Sequence, residues 1–226
     1  MATWTATLTS TSLGTVNLHN YAGTDLILAD GFRKREILYK DLKPASHTLD
    51  MTIRWNTTLA EALYDASDEV ISITVQKDAS NWFVGFLEPV GSFSITGGAN
   101  TINLQAVTAI ELLNKEYPTP FSFADKDICN PSNTSDSFVH TLVDKIGDVS
   151  VSATIPAITD QALSYVHNTD DKIIDLIADS TLAFKYVPYT NAAGELSLYD
   201  WGSVGASAGT INEDDMVGSL RVKEIR

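Results

Sequence analysis

Apolar and polar residues alternate with a period of two over much of the first half of the chain. Trp4-Thr-Ala-Thr-Leu-Thr9 and Gly14-Thr-Val-Asn-Leu18 follow that rhythm. It predicts strands with one face in a core and one in water. Asp25-Leu-Ile-Leu-Ala29 is a strand-like run before a turn, and Glu36-Ile-Leu-Tyr39 and His47-Thr-Leu-Asp-Met-Thr-Ile-Arg-Trp55 are rich in the β-branched and aromatic residues that suit a pleated surface. Asp30-Gly31 and Asp41-Leu-Lys-Pro44 read as breaks between them. Thr58 to Ala66 changes period: Leu59, Ala62 and Leu63 fall on one helical face, predicting a helix that spans a barrel mouth or crosses between strands. From Ile71 to Asn114 the pattern predicts an antiparallel meander. Its strands are Ile71–Gln76, Trp82–Leu87, Ser92–Thr96 and Thr101–Val107, its turns lie at 77–81 and Gly97-Gly-Ala-Asn100, and a short helix follows at 109–114.

The texture changes after Tyr117. Pro118-Thr-Pro120 is a break, and Asn130-Pro-Ser-Asn-Thr-Ser135 is turn chemistry leading into a helix over 136–146. Phe138, Val139, Leu142, Val143 and Ile146 supply its apolar face, and Gly147 its C-terminal stop. A second helix is expected after Thr169 as N-cap, with Asp170 and Asp171 at its positive end and Ile173, Ile174, Leu176 and Ile177 buried. A hairpin follows, with strands 182–187 and 195–201 around a turn at 191–194. Beyond it lie a Gly/Ser/Ala linker over 202–209 and a strand-like run over 216–226. The fold class predicted is α+β, mostly β: a barrel-like antiparallel domain (1–116), an inserted two-helix α/β subdomain (117–201), and a linker with the start of a second barrel or a returning strand (202–226). The last strand-like run stops without a turn or cap, so the chain is expected to be a fragment of a longer protein.

Charge narrows the partners. A formal net charge of -14 opposes a general nucleic-acid surface, because binding a polyanion requires cations that displace counterions. The basic strip Arg33-Lys34-Arg35 reads as an exposed turn rather than a phosphate site. The single cysteine, Cys129, precludes an intramolecular disulfide and a cysteine-based zinc site, and reads as a small, partly buried side chain. The N-terminal residues carry no basic-then-apolar signal pattern, and no apolar run approaches the roughly 20 residues of a membrane span. A soluble protein made in a cytoplasm is expected, in which the glycosylation-like Asn56-Thr-Thr58 and Asn133-Thr-Ser135 have no role.

No constellation of catalytic residues emerges. His19, His47, His140 and His167 lie in different elements, without a second ligand at helical or strand spacing, and read as structural or surface residues. Asp170-Asp171 is explained by the helix dipole. Glu213-Asp-Asp215 lacks the spaced oxygen ligands of a calcium loop and reads as a solvated turn. Gly97-Gly98 precedes a strand rather than a helix, so it is a hairpin turn and not a phosphate cradle. Paired carboxylates have no specificity as a signal among 29 acids. Trp4, Trp55, Trp82 and Trp201 could form a sugar-stacking platform, but three sit in alternating strands, which favours packing. Site residues, metal and cofactor are therefore all assigned as none, and the protein is read as a non-enzyme.

The order of elements resembles the baseplate-hub, or tail-associated, proteins of contractile and long non-contractile phage tails, a family related to the trimeric spike-base proteins of type VI secretion. The motifs carrying the resemblance run from about Glu36 to Trp201. They are the strand Ile71–Gln76, a polar turn, and the aromatic-Val-Gly-hydrophobic strand Trp82-Phe-Val-Gly-Phe-Leu87. Next come Ile102-Asn-Leu-Gln-Ala-Val-Thr-Ala-Ile-Glu-Leu-Leu113, then Thr169-Asp-Asp-Lys-Ile-Ile-Asp-Leu-Ile-Ala178 and the hairpin through Gly194-Glu-Leu-Ser-Leu198. The segment before Glu36 is not distinctive, and a second barrel is barely begun at Arg226. The resemblance implies a structural component of a phage, prophage or tail-like particle. It implies a homotrimer in the full assembly, with tail-tube, distal-tail and spike or fibre proteins as partners. It also implies residence in the virion tail and DNA passage through a lumen without specific binding, for which an acidic wall would suit sliding phosphates. The competing class is a β-rich carbohydrate-binding or adhesin module, which would display coplanar tryptophans.

Overall fold

The computed structural model describes residues 3–35, 47–87, 94–95, 100–114, 121–167 and 171–200. The barrel-like part contains β1 (Trp4–Ser10), β2 (Gly14–Asn17), β3 (Ile27–Arg35), β4 (Thr48–Arg54), α1 (Thr57–Asp65), β5 (Ser72–Lys77), β6 (Ser80–Leu87), β7 (Ser94–Ile95) and β8 (Thr101–Val107). Its strands form one antiparallel sheet in the order β2-β1-β5-β6-β8-β4-β3, with β7 on β8. The fold is mostly β, as the alternation predicts, but the meander is not sequential. β6 skips β7 to meet β8, and β1 and β4 flank the β5-β6-β8 unit.

Strand alternation sends one residue in two inward. Ala6 and Leu8 of β1, Leu49, Met51 and Ile53 of β4, Ile73 and Val75 of β5, and Ile102, Leu104 and Ala106 of β8 form the first core. Each large side chain fully buried there stabilises the fold by ~1.5–3 kcal/mol. The sheet curls until its ends approach: Leu26 N–H donates to the Leu18 carbonyl (2.9 Å), and Arg54 N–H donates to the Leu26 carbonyl (2.9 Å). One residue thus links the tail of β2 to the end of β4. The helix α1 adds Leu59 and Leu63 to this core, and its N-terminus is capped by Asn56, whose Oδ1 accepts from Leu59 N (3.0 Å).

Local chemistry explains the turns. Asp78 and Ala79 both take positive φ (50° and 64°), giving β5 and β6 the two-residue turn whose twist matches the strands. Asp30-Gly31 is no turn but part of β3, in a stretch where the register with β4 jumps between Ile27↔Ile53 and Phe32↔Met51. There Gly31 lies so close to β4 that a β-carbon would meet the Thr52 carbonyl at 2.4 Å. The basic strip is therefore strand as well, with Arg33 opposite Asp50.

The second part comprises α2 (Ala109–Leu113), β9 (Phe121–Cys129), α3 (Phe138–Val143), β10 (Ile158–His167), α4 (Ile173–Leu182), β11 (Tyr186–Thr190) and β12 (Leu196–Asp200). β9 pairs antiparallel with β10, and β11 with β12. Their shared core gathers Ile110 and Leu113 of α2, Phe138, Val139 and Leu142 of α3, Ile173 and Ile177 of α4, and Leu196 and Leu198 of β12. Phe86, on β6, packs against this cluster and couples the two cores.

Four expectations change here. β9 and β10 are strands in segments for which the sequence pattern anticipates no element. α3 is shorter than 136–146, because Ser137 caps it and the helix ends at Val143; Gly147 keeps a left-handed φ of 78° in the turn beyond. Lys172, not Thr169, precedes the first helical residue of α4, and it makes no side-chain cap; Thr169 and Asp170 lie outside the described residues. Finally, α4 runs through Leu182, so β11 begins at Tyr186 rather than at residue 182. The expected elements at 36–39 and 202–226, and residues 97–99 of the turn before β8, also lie outside the described residues.

Candidate functional site

β6 brings the two parts of the molecule together. Its register with β5 pairs Val75 with Phe83 but Gln76 with Asn81, leaving Trp82 as an extra residue. Such a bulge re-aims a side chain, and here Trp82 packs against the barrel core alongside Phe83. Trp82 meets Trp4 edge-to-face, with ring centroids 5.0 Å apart at 85°, and Phe32 at 6.4 Å; Trp4 and Phe32 are 5.4 Å apart. Lys34 Nζ donates to the Trp82 carbonyl (3.1 Å) and stands 5.6 Å over its ring, while Lys77 Nζ is 5.8 Å over Trp4. These rings plug the barrel near the start of β1, and the ammonium groups cap them through cation–π attraction.

Gly85 takes the inward position between Phe83 and Leu87. A β-carbon there would stand 2.2 Å from the Val107 carbonyl and 2.8 Å from the Phe83 ring, so only glycine lets β8 cross so closely. Beyond that crossing, a cleft of about 250 Å³ lies against the tip of the β11–β12 hairpin, lined by Lys34, His47, Asn81, Trp82, Thr108 and Thr190 among others. Asn81 Nδ2 donates across it to the Ala192 carbonyl (3.3 Å). Thr190 Oγ1 is buried there without a hydrogen-bond partner among the described residues. The cleft offers an ammonium, an imidazole, amides and hydroxyls, with no carboxylate among the described residues that line it. No sequence signal announces it, since its walls come from five distant segments.

The histidines stay apart. His19 is in the short turn after β2, His47 lines the cleft, His140 is buried in α3 and His167 ends β10. Among the described residues no group of three or more His, Cys, Asp or Glu is placed to hold a metal ion. His140 has the outline of a catalytic dyad, with Ser137 Oγ 2.7 Å from its Nδ1. Ser137 is fully buried, however, and its Oγ also accepts the N–H groups of Asn130 (3.1 Å) and His140 (3.4 Å). That hydroxyl caps a helix and cannot reach a substrate. Cys129 is not partly but completely buried, and desolvation pushes its thiol up to about 12, against a smaller lowering by Ser137.

Asp171 is exposed just before α4. Asn56 and Asn133 are a helix cap and a turn residue, the latter accepting from Ser135 Oγ. Trp55 is half-buried, its Nε1 donating to Thr57 Oγ1. Gly97-Gly98, Trp201 and Glu213-Asp-Asp215 lie outside the described residues. Among the described residues no helix is long and apolar enough to cross a membrane.

The class these features define is a filled β-barrel-like domain joined through β6 to an α/β subdomain. No family model matches the chain, and no curated protein matches it. Among solved structures it is similar to the 43 kDa tail protein of prophage MuSo2 from Shewanella oneidensis, with 13% identity and a TM-score of 0.48, over 87% of this chain and 54% of that one. It is also similar to a tail protein from Neisseria meningitidis MC58, with 11% identity and a TM-score of 0.49, over 88% and 52%. The chain spans about half the length of either. Likeness at this level defines neither family nor function.

Proposed function

We propose that the protein is a non-enzymatic structural component of a phage, prophage or tail-like particle, part of the baseplate hub that joins the tail tube to a spike or fibre. The observation that carries this reading is the filled barrel. Its interior is taken up by its own side chains, with α1 packed on the core and the Trp4–Phe32–Trp82 plug beside it. A barrel whose described interior is packed with its own side chains acts through its walls, and the α/β subdomain docked on β6 supplies a second surface. The order of barrel strands, short helix, helical insertion and hairpin supports the hub assignment. In the full-length assembly the chain would form a homotrimer in contact with tube, distal-tail and spike or fibre proteins. Its negative charge suits a channel through which DNA slides without adhering.

A glycan-binding module is less well supported. Trp4 and Trp82 cross at 85°, so they offer no shared stacking plane.

The test is mass spectrometry of particles purified from a lysate of the strain carrying the gene, coupled to electron microscopy with an antibody against the chain. The expected result is the protein at the tube-distal end of the tail in a few copies per particle. Its absence from purified tails would overturn the reading.

A further inference from the structure

The contact between β9 and α3 combines a backbone bridge from Asp127 to Ser137 and the Phe123–Phe138 ring pair, 4.8 Å apart, with a buried polar centre at Ser137. Ser137 Oγ accepts the N–H groups of Asn130 and His140, so its own proton is left for His140 Nδ1, 2.7 Å away. The ring is thereby held as the neutral tautomer with its hydrogen on Nε2. Asn130 extends the connection: its Oδ1 accepts from Ser132 N (3.1 Å) and Asn133 N (2.9 Å), and its Nδ2 donates to Asp127 Oδ2 (2.7 Å). Thr141 closes the other side, with its Oγ1 donating to the Ser137 carbonyl (2.7 Å). Ser137 is 0% exposed and His140 8%, so water does not readily replace a lost partner.

We propose that Ser137 and His140 form an acid-sensitive clasp, in which a proton arriving at Nδ1 releases the start of α3 from β9 and loosens the α/β subdomain while the barrel stays closed. A protonated Nδ1 is a donor facing a hydroxyl that already accepts two backbone N–H groups. The Ser137 proton then loses its acceptor, and a charge is left in an apolar core.

The surroundings compensate that charge only weakly. On its own helix, Asp144 draws the proton in. From β9 come Asp127, already bonded to Asn130, Lys126, whose Nζ donates to the Ser135 carbonyl, and the neutral thiol of Cys129. The turn before α3 contributes Asp136, and α4 turns Ile173, Ile174, Leu176 and Ile177 to this core. Desolvation outweighs Asp144, so the folded His140 titrates below its ordinary 6.5. The unfolded or opened segment therefore binds the proton first. Stability is full above pH 6.5 and is lost as pH falls through that value towards the folded pKa. The clasp does not depend on a tail role.

Hydrogen exchange on the full chain tests it, at about pH 7.5 and about pH 5 with intrinsic rates corrected. Protection of the Asn130, Thr141 and Asp144 amides should fall about tenfold at the lower pH, while the Ala6 and Val75 amides stay unchanged. His140→Gln, which cannot titrate, should abolish the difference. Equal loss in that variant, or equal loss in the barrel, overturns the clasp. Should His140→Gln not fold, the ring titration in the wild type decides by NMR. Loss of protection must begin above the ring's own midpoint and level off below it, and loss confined to pH values below that midpoint overturns the clasp.

Discussion

Gly194, in the β11–β12 turn, lies against Val84 of β6 so closely that a β-carbon on it would stand 2.4 Å from Val84 Cγ1. Its φ of 83° is left-handed as well. Gly194→Ala therefore meets two penalties, ~1 kcal/mol of backbone strain and ~1–3 kcal/mol of overpacking. Denaturant unfolding should show a loss of ~2–4 kcal/mol. Adding Val84→Ala should return the overpacking share, giving a positive coupling in the double-mutant cycle. Additive losses would mean that the hairpin tip is not seated on β6.

Gly85→Ala probes the barrel wall rather than the junction. The new methyl group has the Val107 carbonyl and the Phe83 ring in its way, and backbone cannot step aside as a flexible side chain can. The variant should lose at least ~2 kcal/mol, and the β6–β8 ladder at Phe86↔Val107 should lose amide protection first. Thermal unfolding with hydrogen exchange reads both effects. Unchanged stability would contradict the close crossing of β6 and β8.

These two glycines differ in how far the sequence announces them. Gly85 sits in an aromatic-Val-Gly-hydrophobic strand whose alternation points it inward, so its tight surroundings are legible. Most of the barrel is legible in the same way, because β1, β4, β5, β6 and β8 each bury every second residue. Gly194 reads only as a turn, since its neighbour Val84 lies more than a hundred positions away. β9 and β10 are hidden for a related reason. Ala124-Asp-Lys-Asp127 interrupts the apolar rhythm, and the pairing carries two register shifts. β3 is misread because Asp30-Gly31 is turn chemistry used inside an irregular strand. The cleft is invisible, as its lining is assembled only by the docking of the hairpin.

Glu69 ties the end of β5's approach to the β1–β2 turn. Its carboxylate accepts from the hydroxyl and the amide N–H of Ser12, with Ser10 and Thr11 contributing, which lowers its pKa from 4.5 to about 2. A depressed folded pKa gives stability that is present above 4.5 and lost as pH falls towards about 2. Wild-type stability should decline across that window, and Glu69→Gln should show a shallower decline there. Parallel acid titrations followed by circular dichroism make the comparison. Identical slopes would remove Glu69 from the acid response.

Trp82→Ala separates a packed plug from a displayed ring. Removing the indole takes away its contacts with Trp4 and Phe32 and the surface under the Lys34 ammonium. For a half-buried aromatic the loss should be ~2–3 kcal/mol, below the full large-to-small range. Thermal melts read this directly, and stability within ~0.5 kcal/mol of wild type would place the ring at the surface and revive the glycan-binding reading.

Cys129 offers a reporter on the second core. The chain has one cysteine, and it is completely buried at the end of β9, against Ser137. The thiolate is the reactive form, and burial holds this thiol neutral up to about 12. Two barriers, exclusion of reagent and absence of thiolate, therefore act together. At mildly alkaline pH the native protein should react with a disulfide reagent only as fast as the α/β subdomain opens, at a rate independent of reagent concentration once reagent is in excess. Mild denaturant that leaves the barrel's tryptophan emission native should accelerate labelling. Rapid labelling that is first order in reagent, without denaturant, would show that the core around Cys129 is open to solvent.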